Sequence, residues 1–429
     1  MSIRRSLALA FSLIILIFGA VAAASAAQSP VSGPPVPQSS VPPEPARFGP
    51  FGDTLGVSPA AAQLSAAPAA APTGSLTTYI LPVGPTNLLP DNAGSVWFTA
   101  FGDYAFGRLN LATGQVETYK RDGHNVWGVA FGAGGRVWFG TVNAFPDYLI
   151  SLVPATGSLN LWGAQRDRIY GLAADRASGD VWFASTLPPA INRLAPDTGA
   201  LTSWSTLPYT STFDLALGPD GMVWATVQPF GKQALLRLDP SANKLTAWEL
   251  PVAGSRPFRV HAPAADAIWL SEAAPSGNAL ARFAPAANRF YEYILPVPAA
   301  APMGVVAAGT KVWTALSGAN ALAQLDAQQS ASRVTVRPPT TLAGMQSSSV
   351  IAPASLILSP TVTAASGGSA APPVTSAGAF RLAALPANSG PFGVAAAASP
   401  DEVWFAATNG RYLGRLALPH VVHLPYAAR

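Results

Sequence analysis

The sequence predicts an all-β protein, a seven-bladed β-propeller of four-stranded antiparallel blades. Its ring is expected to close through an N-terminal strand joining the last blade. Three observations carry that reading. A Val-Trp or Ile-Trp pair recurs seven times, at Trp97, Trp138, Trp182, Trp224, Trp269, Trp313 and Trp404, with spacings of 41, 44, 42, 45, 44 and 91 residues. The last spacing is one period plus an insertion. Turn residues punctuate every period, and Gly 38 with Pro 42 exceeds the usual share of a globular chain. Helix-period patterning is missing throughout. Four short strands in roughly 40–45 residues is the signature of a propeller blade.

Each unit reads in the same order. A strand of small residues comes first, as in Gly128-Val129-Ala130-Phe131 and Gly304-Val305-Val306-Ala307. A Gly/Asp turn such as Gly218-Pro219-Asp220-Gly221 leads into the Trp strand, because Gly and Asp supply the backbone conformations tight hairpins need. The third strand carries an Arg-Leu-like pair: Arg108-Leu109, Arg193-Leu194, Arg237-Leu238, Arg282-Phe283 and Arg415-Leu416. The fourth holds an aromatic, at Tyr119, Trp162, Trp204, Trp248 or Tyr293. The Trp side chains are expected to fill the wedges between blades, and the Arg stems to pack along them.

Leu76 to Pro82 matches the fourth-strand pattern but precedes the first full unit, so it is expected to complete the blade of Trp404. The tail from His420 to Leu424 competes for that place or extends its edge. Residues 338–378 carry no charge and read as an insertion in the sixth blade, with Val350 to Leu358 forming a hairpin or covering an edge. Either Arg333–Arg337 or Ala379–Leu385 then supplies that blade's outer strand.

Ahead of the ring, Arg4 and Arg5 precede an apolar run from Leu7 to Phe18 and the small residues Ala24-Ser25-Ala26. That order predicts a Sec-type signal peptide over 1–26, cleaved or retained as an anchor. Residues 27–75 read as a Pro/Ala-rich linker, and 76–429 as the propeller. The expected location is therefore secreted or cell-surface, with no membrane span in the mature chain.

Composition excludes several functions. Lys+Arg 25 against Asp+Glu 21 gives a net charge of only +4, which is no nucleic-acid stripe. Cys is absent and His numbers 4, leaving no thiol chemistry and little for a metal cage. No cofactor and no metal ligand set is expected, and a monomer is expected.

The order Gly390-Pro391-Phe392-Gly393, Val403-Trp404-Phe405 and Gly414-Arg415-Leu416 resembles the repeat of the virginiamycin B lyase (streptogramin lyase) family. Thr78-Tyr79-Ile80-Leu81-Pro82 and Glu292-Tyr293-Ile294-Leu295-Pro296 support it. The resemblance implies a seven-bladed propeller and, for active members, magnesium-assisted opening of a cyclic depsipeptide. Such members place His in the Pro-x-Gly-like loops of the last two units, with Glu two residues before the final His and again after its Trp-Phe. Here those positions hold Met303, Phe392, Gly390, and Ala407 or Thr408. None can act as a base or ligate a hard cation, so a member lacking the catalytic residues is expected.

The loops joining fourth to first and second to third strands share one face. Trp127, Tyr170, Phe213, Phe258, Met303 and Phe392 gather there at the channel mouth, as a plug or as a ligand platform, with His124, Arg256 and Glu272 around them. Aromatics among mixed charge suit a peptide, glycan, small molecule or protein partner. The expected function is an exported, non-catalytic binding module. The alternative is a C–O lyase or hydrolase acting on a cyclic depsipeptide or similar extracellular compound, using Glu272 with Asp214 or His124.

Overall fold

The computed structural model describes residues 73–419 apart from 92, 144, 145, 167, 229–231 and 344. The expected signal peptide, nearly all of the linker and the 420–424 tail lie outside those residues. Within them, seven antiparallel sheets stand in a ring, one for each Trp unit. Blade 1 is typical: Asn87–Pro90, Ser95–Ala100, Ala105–Asn110 and Gln115–Lys120 follow one another from the axis outward. The ring closes as the sequence implies. Ser75–Ile80 pairs with Tyr412–Ala417, in the register Leu76↔Leu416 and Thr78↔Gly414.

The Val-Trp-Phe triplet works through the two-residue period of a strand, which points neighbours to opposite faces. In blade 1, Val96 and Phe98 pack against the last blade, while Trp97 packs against blade 2. In the last blade, Val403 and Phe405 face blade 6 and Trp404 faces blade 1. All seven of these Trp are 5% exposed or less, so each wedge gains about 2–3 kcal/mol from its indole. The Arg of the third strand lies opposite the Trp, as in Trp97↔Arg108, and its guanidinium sits over the indole at 5.4 Å. Gly107 and Gly414 precede that Arg because a Cβ at Gly107 would strike Glu117 O and then the Phe98 ring, and one at Gly414 would fall into the Phe405 ring.

The insertion departs from expectation. It is neither a local hairpin nor confined to blade 6, because it forms a belt around the whole ring. Arg333–Val336 adds a fifth strand to blade 5, Thr340–Leu342 to blade 4, and Gln346–Val350 to blade 3. Pro353–Leu356 does the same for blade 2, Thr361–Ala364 for blade 1, and Ser366–Ala370 for the last blade. Val374–Ala377 then pairs with Phe380–Ala384, which is the fourth strand of blade 6. So Ala379–Leu385 contains that blade's outer strand, and Arg333–Arg337 serves blade 5. Every sheet has five strands rather than four.

Successive belt strands start five to eight residues apart, at 333, 340, 346, 353, 361, 366 and 374. About seven extended residues span roughly 23–25 Å, a step from one blade edge to the next. Backbone bonds fasten the corners, such as Ile351 N to Gly199 O at 2.8 Å and Ala365 N to Gly114 O at 2.8 Å.

Candidate functional site

The site is the axial channel, where the seven innermost strands converge. Aligning them gives one residue per blade at each depth. At the mouth this column reads Thr86, Trp127, Tyr170, Phe213, Phe258, Met303 and Phe392. Its six large members form one cluster with Phe101, Val142 and Ala273. Trp127 is the hub. Its ring meets Phe101 at 5.5 Å, Tyr170 at 5.4 Å, Phe213 at 6.0 Å, Phe258 at 6.3 Å and Phe392 at 5.4 Å, mostly edge to face. Trp127 and Phe258 are 0% exposed, and Tyr170, the most exposed of the six, reaches only 8%. The candidate aromatics are thus brought together and their faces are spent on one another.

One residue deeper, four of seven positions are glycine, at 128, 171, 304 and 393. Here the strands come so close that a Cβ on Gly393 would meet Thr86 O at 2.7 Å. The other three positions carry Asn87, Asp214 and Arg259. Arg259 reaches across the axis, pairing with Asp214 at 2.9 Å and donating to Asn87 Oδ1. Its guanidinium lies 5.4 Å from the Trp127 ring centre and 5.9 Å from that of Phe258. Asp214 also accepts from Val260 N at 2.9 Å, and Asn87 donates to Trp127 O at 2.8 Å. The sequence offered Asp214 as a partner for Glu272, whereas the structure pairs it with Arg259 in this polar bar, whose charges compensate each other. Its signal was available: charged or amide residues stand where the repeat otherwise demands glycine. The bar borders a cavity of about 150 Å3, lined by Asn87, Asp214 and Arg259 together with apolar residues such as Leu88, Leu172 and Val260.

Of the remaining candidates, Arg256 borders the plug and His124 stands away from it. His124 stands on the rim in edge contact with Tyr148, which also carries the Arg121 guanidinium at 5.2 Å. Burial, then the Arg121 charge, lowers its pKa below the ordinary imidazole value. Arg256 reaches Phe258 at 6.0 Å and donates to Gln228 Oε1 at 3.1 Å from a left-handed backbone, φ 58. His261, a half-buried first-strand histidine, has its pKa pushed down to about 4 by desolvation and accepts from Ala307 N at 3.0 Å, tying blade 5 to blade 6.

Glu272 is not at the mouth. It ends the strand Ala267–Glu272 at 0% exposure, and neither carboxylate oxygen has a hydrogen-bond partner among the described residues. Burial pushes its pKa up to about 8, Glu292 adds to the rise, and Arg333 opposes it. Because the folded value exceeds the ordinary one near 4.5, the native state holds the proton more tightly than the unfolded chain. The resulting stability is complete below pH 4.5 and is lost as pH rises toward 8. Stability should fall by about 1.4 kcal/mol per pH unit across that window. Denaturant unfolding from pH 5 to 9 checks this, and Glu272→Gln is expected to flatten the slope.

The positions that would supply lyase chemistry do not fit a magnesium ion. Met303 and Phe392 belong to the plug, Ala407 is 0% exposed, and Gly390 has no side chain. Thr408 donates its hydroxyl to Pro85 O at 2.7 Å. Among the described residues, no group of three or more His, Cys, Asp or Glu could hold a metal ion. None of their helices is long and apolar enough to cross a membrane.

Residues 149–344 match the virginiamycin B lyase family. A virginiamycin B lyase from Nocardia farcinica is 31% identical over 192 residues, covering 44% of this chain and 63% of that protein. The match therefore spans less than two thirds of the curated relative. A catalytically inactive His-to-Ala variant of virginiamycin B lyase from Staphylococcus aureus, solved with quinupristin, superimposes with a TM-score of 0.61 at 21% identity. It covers 80% of this chain and 99% of its own. A streptogramin B lyase structure gives a TM-score of 0.61 at 20% identity, covering 81% and 98%. The two structures share the fold, and over residues 149–344 the chain is similar in sequence to the virginiamycin B lyase family.

Proposed function

We propose that this protein is an exported, non-catalytic binding module that recognises its ligand on the rim surrounding the plugged channel mouth. One observation carries the reading. Phe392 and Met303, each 7% exposed, occupy as packing the two places where the resembling enzymes need imidazole. A buried phenyl ring and a thioether transfer no proton.

The rim has the chemistry of a recognition surface. Tyr104 projects from it at 41% exposure, beside the Arg411–Asp103 pair at 3.6 Å. Arg168, Arg256, Arg411 and Tyr104 all adopt positive φ, a conformation non-glycine residues hold only when their surroundings impose it. Fixed aromatic and Arg side chains suit an extracellular peptide, glycan or protein ligand.

Incubating the purified chain with a streptogramin B and magnesium is expected to leave the ring of the antibiotic intact. Probing the same protein on glycan and peptide arrays is expected to give a ligand whose binding weakens about tenfold or more in Tyr104→Ala. Ring opening that is abolished by Glu272→Gln would sink the proposal in favour of a lyase. Mature protein beginning at Ala27 is the expected sign of export.

A further inference from the structure

We propose that the belt is a glycosylation surface, its Ser and Thr hydroxyls being acceptors for O-linked sugars. Segment 338–378 contains 13 Ser/Thr, several Pro and no charged residue. Eleven of those hydroxyl residues are exposed. Ser/Thr-rich chain with Pro is the composition of O-glycosylated segments, but composition is the lesser part of the case.

The geometry adds two facts. A strand packed on one face offers only alternate side chains to solvent. In Gln346–Val350 all five residues are exposed, so Ser347, Ser348 and Ser349 are reachable from both faces. Ser366–Ala370 is exposed along its whole length too. Both strands hydrogen-bond to their blades along one edge, Thr202↔Ser348 and Thr78↔Gly368 marking the registers, and each is the outermost strand of its sheet.

The second fact is the missing protection. An outermost strand is a template for pairing with another chain, and proteins normally blunt it with Lys, other charges or bulges. Beyond Arg337 this belt has no charge as far as Gly378, and it displays Met345 at 70%, Val350 at 78%, Ile357 at 92% and Val362 at 56% exposure. Neutral, hydrated sugars on the neighbouring hydroxyls would keep two such edges apart without any charge. In each transfer the Ser or Thr oxygen forms a bond to the anomeric carbon of a sugar-phosphate donor. The bond from that carbon to the phosphate oxygen breaks, phosphate leaves with the electron pair, and the hydroxyl proton passes to a base on the transferase.

The proposal rests on the reading that the chain is exported, and one measurement separates the two. Intact mass of the protein purified from the organism that makes it reports both its first residue and any added sugar. The expected result is a chain starting at Ala27 with a ladder of sugar-residue increments. Trypsin finds no Lys or Arg between Arg337 and Arg381, so residues 338–378 stay within one long fragment. The increments should map to that fragment and be released by alkaline β-elimination. A triple variant, Ser347→Ala with Ser348→Ala and Ser349→Ala, should lose part of the ladder while its unfolding midpoint is unchanged. An unmodified fragment on a chain starting at Ala27 overturns glycosylation alone. An unmodified fragment on a chain that retains Met1 and is recovered from the cytoplasm overturns export as well. An unmodified fragment together with concentration-dependent dimers overturns the proposal and assigns the bare edges to self-association.

Discussion

Arg259→Met is expected to destabilise the ring by about 3–5 kcal/mol, because it removes one partner of a buried ion pair and leaves the other charge alone. Asp214 is 5% exposed, and its side chain is held by the Arg259 guanidinium and by Val260 N. Truncating the arginine strands a carboxylate under a layer of aromatic rings. Denaturant unfolding at pH 7 would read the loss as a lower midpoint with an unchanged slope. Combining Arg259→Met with Asp214→Leu removes the stranded charge and should recover most of the loss. A single variant as stable as the parent would show that the bar is dispensable.

Trp127→Ala is expected to cost a similar 3–5 kcal/mol, through lost transfer energy and the hole it leaves. The side chain is fully buried, and five other aromatic rings pack against it. Among the described residues no other member of the plug contacts as many rings, so its removal cannot be closed by a small shift of one neighbour. The cavity created should accept a free indole. Added indole is therefore expected to raise the unfolding midpoint of the variant and not that of the parent. Failure of that rescue would mean that the plug collapses instead of leaving a defined hole.

How far the sequence carried the fold follows from where each signal lives. The Val-Trp or Ile-Trp pair, the Arg-Leu-like pair and the turn residues act within one blade, at separations of a few dozen residues, and the Trp pair recurs seven times. Repetition made them legible. The belt segments carry no such internal marker. Gln346–Val350 pairs with Ala200–Ser205, and Ser366–Ala370 with Ser75–Ile80, partners more than a hundred residues away in one case and almost three hundred in the other. Their one local trace is the spacing of about seven residues between short β-prone runs, broken at Pro338-Pro339, Pro360 and Pro372-Pro373.

In the site, repetition again decided what could be read. The column Trp127, Tyr170, Phe213, Phe258, Met303 and Phe392 was visible as a register, and the structure joins it into one cluster. Arg259 and Asp214 come from neighbouring units and Asn87 from the far end of the chain, so only closure of the ring reveals their meeting. Glu272 shares the repeat position of a mouth residue, yet its strand ends with the carboxylate fully buried and not at the opening.

The belt also constrains the order in which the molecule can be made. It leaves blade 6 at Asp326, travels through blades 5, 4, 3, 2, 1 and the last, and re-enters blade 6 at Phe380. Five of its seven docking edges belong to blades whose residues come earlier in the chain. The edge at Ser75–Ile80 becomes available only when that strand joins Tyr412–Ala417, the last strand described before the C-terminal tail. The strap can therefore be fastened fully only on a complete ring, and a ring short of one blade would leave it a step of about seven residues too long. Its fastening is a length gauge for assembly: the chain measures its own circumference, and a miscounted ring leaves slack for a protease.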